Sequence, residues 1–232
     1  MLPLTIIDIT VSGGSKYPIL KIPSFSASAG ERIGVCGPSG AGKSTFLYLI
    51  SGLVGSDSGS IFWGDTDISI LSEWERDRFR RETFGFIFQD SFLFEELSAL
   101  ENAAIEASFS PRKQRKDITD RAAKYLKKLH IPVDERKVEL FSGGERQRVA
   151  VARALAGSPH VILADEPTAS LDRENRQILL DDLIAVSQQK NKTLIMVSHD
   201  QDALQKMDRI IEIRDGNIFS DSMETTDKEK QS

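Results

Sequence analysis

Residues 32–45 constrain the fold of this chain more than any other stretch, because an apolar run, a glycine-rich turn and a second apolar run follow one another directly. The first run predicts a short strand, and the second predicts a helix that opens at Gly42. Glycines in the turn permit positive φ values, so successive backbone N–H groups can approach an anion. Lys43 adds a mobile positive charge, and the Ser44 hydroxyl suits Mg²⁺. The stretch therefore predicts a loop that binds the phosphates of a nucleotide. Its predicted lining residues are Gly37, Pro38, Ser39, Gly40, Ala41, Gly42, Lys43, Ser44 and Thr45.

Length and composition exclude several classes of protein. A chain of 232 residues suits one α/β domain, or one domain with a subdomain, and can bury a sizeable core. No apolar run approaches the ~20 residues that span a bilayer, and the first residues resemble a strand rather than a secretory signal. The net charge of -5 argues against broad affinity for nucleic acid or anionic lipid. We therefore expect a cytoplasmic protein with no nucleic-acid partner and no direct membrane insertion.

Apolar patterning predicts strands that alternate with helices, with a helical block in the middle of the chain. Residues 4–31 are β-rich and broken by glycine and proline, which indicates an antiparallel edge sheet. The predicted fold class is α/β: a P-loop NTPase core with a mostly parallel sheet, an N-terminal antiparallel β subdomain and an inserted helical subdomain. Further strands are predicted at 60–63, 84–88, 161–164 and 193–197, and a closing hairpin at 210–219.

The same patterning gives the expected boundaries. A single ATPase-type domain is expected at 1–219, with its core at about 1–90 and 158–219 and the helical subdomain at about 91–157. Residues 220–232 are expected to form a polar tail. The basic cluster at 112–116 is interpreted as a solvated linker face, and the alternative is a dedicated binding patch.

Two adjacent carboxylates, Asp165 and Glu166, directly follow an apolar strand. Ligands of such folds bind at this edge of the sheet. One carboxylate can hold the Mg²⁺ shell while its neighbour polarises a water for attack on the terminal phosphate. His199 follows a second apolar strand and can donate a hydrogen bond to the γ-phosphate; the alternative is an ordinary loop histidine.

Residues 141–148 read Phe-Ser-Gly-Gly-Glu-Arg-Gln-Arg and lie upstream of the strand that ends in the two carboxylates. This run closely resembles the signature of the ABC-type ATPases. Gln89 resembles that family's Q-loop, residues 169–172 its D-loop, and His199 its switch histidine. The motifs follow one another in the family's order over most of the chain.

The resemblance implies that two ATP molecules are sandwiched between two copies of the chain. Ser142, Gly143 and Gly144 open a helix, so they form a second anion site, which in the family faces the γ-phosphate bound by the partner copy. Glu145 follows them and is also predicted to lie at the nucleotide. The remaining roles implied are these: Ser44, Gln89 and Asp165 for Mg²⁺ and its water, Glu166 as the base, His199 for the γ-phosphate, and Asp172 for communication between the two sites.

Three positions depart from the family's pattern. Phe141 replaces the usual Leu, which is an apolar exchange. Glu145 replaces the commonest Gln and adds a negative charge near the partner's nucleotide. Tyr17 is predicted to stack on adenine, although it lies closer to Leu20 than the family's aromatic residue does; the alternative is a plain edge-strand tyrosine.

Residues 96–102, 144–154 and 213–218 are similar to ATPase subunits of the lipoprotein-release and macrolide-export type. That similarity implies an ATPase that forms a homodimer on binding ATP and works with an integral membrane permease on a separate chain. It also implies a peripheral location on the cytoplasmic face of the inner membrane, with the permease docked between the Gln89 loop and the helical block.

Two other functions share these motifs. One is a cell-division type switch that controls wall enzymes without transporting a substrate. The other is a DNA-repair or translation ATPase, which the single cassette, the absence of paired cysteines and the absence of sustained heptads disfavour.

Overall fold

The computed structural model describes residues 2–14, 17–169, 171–189 and 191–223. The chain divides into two compact units: residues 1–80 with 187–232, and residues 81–186. In chain order the elements are β1 (Leu4–Val11), β2 (Leu20–Ala27), β3 (Arg32–Cys36), α1 (Lys43–Ile50), β4 (Ser58–Trp63), β5 (Thr66–Asp67), α2 (Glu73–Thr83), β6 (Phe84–Ile87), α3 (Ala99–Ala103), α4 (Glu106–Phe109), α5 (Arg112–Lys128), a 3-10 turn (Val138–Leu140), α6 (Gly143–Ala156), β7 (Val161–Asp165), α7 (Arg173–Gln189), β8 (Thr193–Val197), α8 (Gln201–Leu204), β9 (Arg209–Arg214) and β10 (Asn217–Asp221). None of the helices in the described part of the chain combines the length and the apolar character needed to cross a bilayer.

The first unit contains an antiparallel sheet in the order β2-β1-β4-β5. Apolar residues of β1 are buried at positions 4, 6, 9 and 11, so the alternation shifts by one residue in the middle of the strand. Asp8 has a φ of 50° there, and the register with β4 shifts between Ile7 and Thr10. A β-bulge therefore lets one strand keep its apolar side on the core across an extra residue.

The same unit contains parallel pairing around the strand that precedes the phosphate loop. β3 pairs in parallel with both β8 and β9, and β10 closes the edge against β9 as an antiparallel hairpin. Every residue of β8 is buried, as expected for a strand covered on both faces. Val35 of β3 lies opposite Val197 of β8, so the carboxyl ends of these strands lie side by side.

The second unit joins a parallel pair of strands to a group of helices. β6 pairs with β7, and α6 packs against α3, α5 and β6. The approach of α6 to β6 is close, because a Cβ on Gly85 would lie 2.3 Å from the carbonyl oxygen of Ala154. The inner face of α6 is almost entirely apolar and buried, which fixes the helix that begins at Ser142.

The predicted fold class is confirmed, and two local expectations hold only in part. β10 continues through Ser220 to Asp221, beyond the expected start of the polar tail, because the Asp221 carboxylate is buried against the guanidinium of Arg209. Residues 112–116 are exposed, as expected of a solvated face, but they form the first turns of α5 rather than a linker. Residues 224–232 of the expected tail lie outside the described residues.

Candidate functional site

The glycine-rich loop has the geometry of an anion cradle. Gly37, Gly40 and Gly42 have φ values of 141°, 76° and 101°, all in the range that side chains disfavour. A Cβ on Gly37 would lie 2.0 Å from the carbonyl oxygen of Ile213, whereas a Cβ on Gly40 would have no neighbour within 4 Å. Gly37 is thus required by close packing, and the Gly40 side of the loop is open.

Lys43 is folded over this loop. Its Nζ donates hydrogen bonds to the carbonyl oxygens of Gly37 at 2.9 Å and Pro38 at 2.8 Å, and the residue is only 8% exposed. Gly42 is the N-cap of α1, and no side chain of the described residues caps the helix there. A cation and the positive end of a helix therefore face the same loop, which suits a polyphosphate.

The turn between β9 and β10 fastens the loop to the N-terminal sheet. Gly216 donates its N–H to the carbonyl oxygen of Ala41 at 3.1 Å, and its own carbonyl accepts from Lys21 N–H at 2.7 Å. A Cβ on Gly216 would lie 2.3 Å from the carbonyl oxygen of Ile19. Tyr17, which is 73% exposed, is two residues before Ile19 and hence at this end of the sheet. Sequence reasoning identified Gly216 only as a hairpin residue.

His199 lies on the same side of the first unit as the phosphate loop. It is exposed and directly follows Ser198, whose N–H donates to the carbonyl oxygen of Val35 at 3.1 Å. Because β3 and β8 are parallel neighbours, the strand ends that lead to the loop and to His199 are adjacent. The structure therefore brings two of the predicted nucleotide contacts together.

The two carboxylates lie in the second unit. Asp165 is the last residue of β7 and is 4% exposed, while Glu166 is half-buried. Glu166 has a φ of 46°, a conformation that costs a non-glycine residue about 1 kcal/mol or more. The turn is closed by hydrogen bonds from Ala169 N–H to Glu166 and from Leu171 N–H to Thr168, both at 3.1 Å. A strained carboxylate at a strand end is typical of a functional site.

Asp172 caps the start of α7. Its carboxylate accepts from the backbone N–H of Asn175 at 3.0 Å and from the Asn175 side-chain amide at 2.6 Å, and the backbone bond lowers the pKa of Asp172. Asn175 in turn accepts from Arg148 of α6 at 2.8 Å. The predicted D-loop is therefore joined to the helix of the predicted signature. Ser170, within that loop, lies outside the described residues.

The predicted signature residues open α6. Ser142 is the N-cap, and it forms a capping box with Glu145: Ser142 N–H donates to the Glu145 carboxylate at 2.9 Å, and Glu145 N–H donates to Ser142 Oγ at 3.3 Å. The Ser142 N–H bond is the main reason that the pKa of Glu145 lies below its usual value. Gly143 and Gly144 form the first turn of α6. Because glycine has no side chain, a ligand can approach the backbone N–H groups of this turn.

Gln89 is exposed and follows β6, and two residues of α6 fix the backbone around it. Gln147, which is 1% exposed, donates from Nε2 to the carbonyl oxygen of Phe88 at 3.0 Å. Arg153 donates to the carbonyl oxygens of Ser91 at 2.7 Å and Phe92 at 2.6 Å. The sequence analysis assigns no separate role to Gln147 or Arg153; in the sequence they are two of five long polar side chains in α6, which gives no signal that singles them out.

A family model described as ABC transporter matches residues 20–169. That span contains the phosphate loop, Gln89, the capped helix at Ser142 and both carboxylates, and it covers more than half of the chain. The chain therefore belongs to the ABC transporter family.

Individual relatives refine the comparison. The lipoprotein-releasing system ATP-binding protein LolD of Coxiella burnetii is 38% identical over 213 residues, which cover 91% of this chain and 91% of that protein. The macrolide export ATP-binding/permease protein MacB of Vibrio parahaemolyticus is 38% identical over 228 residues, covering 95% of this chain but 34% of that protein. The dimeric post-hydrolysis structure of the ATP-binding cassette MJ0796, bound to ADP and Pi, has a TM-score of 0.83 at 32% identity and covers 94% of this chain and 97% of its own.

Proposed function

We propose that this chain is the ATP-hydrolysing subunit of a membrane ABC complex of the lipoprotein-release or macrolide-export type. The observation that carries the proposal is that one chain contains both the Gly37–Lys43 cradle and a second helix opening at Ser142, and that this chain covers 91% of a LolD protein. Two helix starts, each able to receive phosphate, match a nucleotide bound between two copies of one chain. The dimeric MJ0796 cassette supports the same assembly.

The roles proposed for the side chains are those that the family resemblance implies. The loop N–H groups and Lys43 hold the phosphates, because the amine sits over the loop and can exchange its two hydrogen bonds to backbone carbonyls for bonds to phosphate oxygens. Glu166 takes the proton of the attacking water, and His199 donates to the γ-phosphate. Tyr17, exposed near the loop, supplies an aromatic surface for adenine.

The donor chemistry of the three predicted ligands suits a magnesium ion. Ser44, Gln89 and Asp165 offer a hydroxyl, an amide and a carboxylate, and oxygen ligands of this kind suit Mg²⁺. When bound, the ion neutralises charge on the phosphate oxygens. Asp165 is the most buried of the three, since it ends a strand whose five residues are all buried.

The second unit carries the surface proposed for the membrane partner. Phe92 and Phe94, just after Gln89, are 65% and 55% exposed, and Phe109 is 72% exposed. Arg153 ties the same segment to α6, so a partner seated there would be mechanically linked to the helix of the second phosphate site. Exposed aromatic side chains are frequent anchors in protein interfaces.

The test is purification of the tagged chain from membranes of its own host, followed by identification of its partners and a measurement of ATP hydrolysis. A permease that copurifies with the wild type and stimulates its ATPase rate supports the proposal, and Lys43→Ala should bind the permease but not hydrolyse ATP. Recovery of a division protein that gates wall enzymes would contradict transport. Normal hydrolysis by Lys43→Ala would contradict the ATP site itself.

A further inference from the structure

The carboxylate of Glu145 creates a charge problem at the second phosphate site. It accepts the N–H of Ser142 at 2.9 Å, so it sits at the opening of α6, the end proposed to receive the γ-phosphate of the partner copy. Two negative groups at one helix opening repel each other and compete for the same N–H groups. A cation beside Glu145 would offset this repulsion.

One cation is held against this carboxylate. Arg136 donates from Nη2 to Glu145 Oε1 at 3.1 Å, and its guanidinium carbon lies 4.1 Å from the ring centroid of Phe141. Phe141 is only 5% exposed, so the guanidinium rests on a fixed surface. The Arg136 backbone is also held, because its N–H donates to Asp134 Oδ1 at 3.1 Å. A planar cation stacked in this way loses little freedom on pairing.

The neighbouring cation in the signature has a different partner. Arg146 donates to the Glu95 carboxylate at 3.0 Å and to the carbonyl oxygen of Glu139 at 2.8 Å. Its Nε also donates to the carbonyl oxygen of Phe141 at 3.3 Å, so its side-chain bonds are to Glu95 and to backbone carbonyls. Lys137, next to Arg136, is exposed. Of these three cations, Arg136 is the one hydrogen-bonded to Glu145.

We propose that Arg136 is a positioning residue for ATP-driven dimerisation: it cancels the charge of Glu145 and holds that carboxylate in the capping box, so that the Ser142 end of α6 can accept the partner's γ-phosphate. The inference rests on the proposed function. It also explains the exchange of Phe141 for the more usual Leu, because an aromatic ring provides the face on which the guanidinium lies.

The test is a double-mutant cycle in the full-length chain, read out as the chain concentration that gives half-maximal specific ATPase rate. Arg136→Ala should raise that concentration about three- to fivefold, as expected for loss of a partly exposed charge pair. In the Glu145→Gln background the same Arg136→Ala change should raise it less than about 1.5-fold, because no charge is left to cancel. Lys137→Ala, which removes the same charge one residue away, is the control and should match the wild type.

Thermal unfolding of each variant shows whether packing on Phe141 is lost as well. A defect of equal size in both backgrounds would mean that Arg136 acts through packing alone, and it would overturn the inference; so would an unchanged Arg136→Ala variant. In either case the proposed function stands if the specific ATPase rate of the wild type rises with the concentration of the chain. A wild type without such activity would overturn both.

Discussion

Two alanine substitutions in the phosphate loop should distinguish a glycine that is needed for packing from a glycine that is needed for ligand binding. At Gly37, a Cβ would lie 2.0 Å from the Ile213 carbonyl oxygen, whereas ordinary contacts begin at 3.4 Å. The loop or β9 must then move by more than 1 Å, although Ile213 is fully buried and β9 is paired with β3. Overpacking costs about 1–3 kcal/mol and the positive φ about 1–2 kcal/mol more, so Gly37→Ala should lower the free energy of unfolding by roughly 2–5 kcal/mol.

Gly40→Ala is the matched control. It carries a comparable penalty for its φ of 76°, but its Cβ would enter open space. We expect a loss of about 1–2 kcal/mol in unfolding free energy and a large loss of ATP affinity, because the methyl group would stand on the open side of the cradle. Urea unfolding and titration with a fluorescent ATP analogue measure the two quantities. Equal destabilisation by both substitutions would refute the assignment of Gly37 to packing and Gly40 to the ligand.

Two further substitutions test contacts away from the loop. Arg153→Ala should lower kcat with little change in ATP affinity, because it removes the hydrogen bonds to the carbonyl oxygens of Ser91 and Phe92 beside the Gln89 segment. Arg153→Lys should restore part of the rate. Identical kinetics of Arg153→Ala and the wild type would count against this link. Asp221→Asn should make the free energy of unfolding less dependent on pH at acidic pH. Burial raises the pKa of Asp221. The hydrogen bonds and charge of Arg209, together with the Met223 N–H, lower that pKa by a larger amount, so the pKa lies below its usual value. The stability that this carboxylate contributes is thus present above about pH 4 and is lost as the pH falls through the folded pKa. Urea unfolding between pH 3 and 7 should therefore show that the free energy of unfolding falls more steeply with decreasing pH in the wild type than in Asp221→Asn.

Local sequence signals predicted the elements that depend on short stretches of chain. The bounds of β8 and the start of α6 after Ser142 were predictable, because an uninterrupted apolar run and a Ser with Glu three residues later are sufficient signals. The helix opening at Gly42 is likewise confirmed, since the glycine loop and the following apolar spacing occupy adjacent residues. The roles assigned to Gln89, Glu166, His199 and the other site residues stay predictions.

Contacts between distant parts of the chain could not be predicted in this way. The bond from Gly216 to Ala41 joins residues that only the sheet order brings together. The continuation of β10 to Asp221 depends on Arg209, twelve residues earlier, and polarity alone suggested a tail. The link from Arg153 to the Gln89 segment spans about sixty residues, and it depends on how closely α6 packs on β6. In each case tertiary packing decided the structure where local composition gave a weak or misleading signal.

The most direct test of the account is the behaviour of Glu166→Gln in the presence of ATP. If Glu166 is the base, the variant should bind ATP with unchanged affinity, lose about a hundredfold or more of its turnover, and accumulate as a dimer that size-exclusion chromatography resolves only when ATP is present. Full hydrolysis by Glu166→Gln, or a variant that binds ATP and stays monomeric, would contradict the claim that two copies of this chain close on ATP and are released by its hydrolysis.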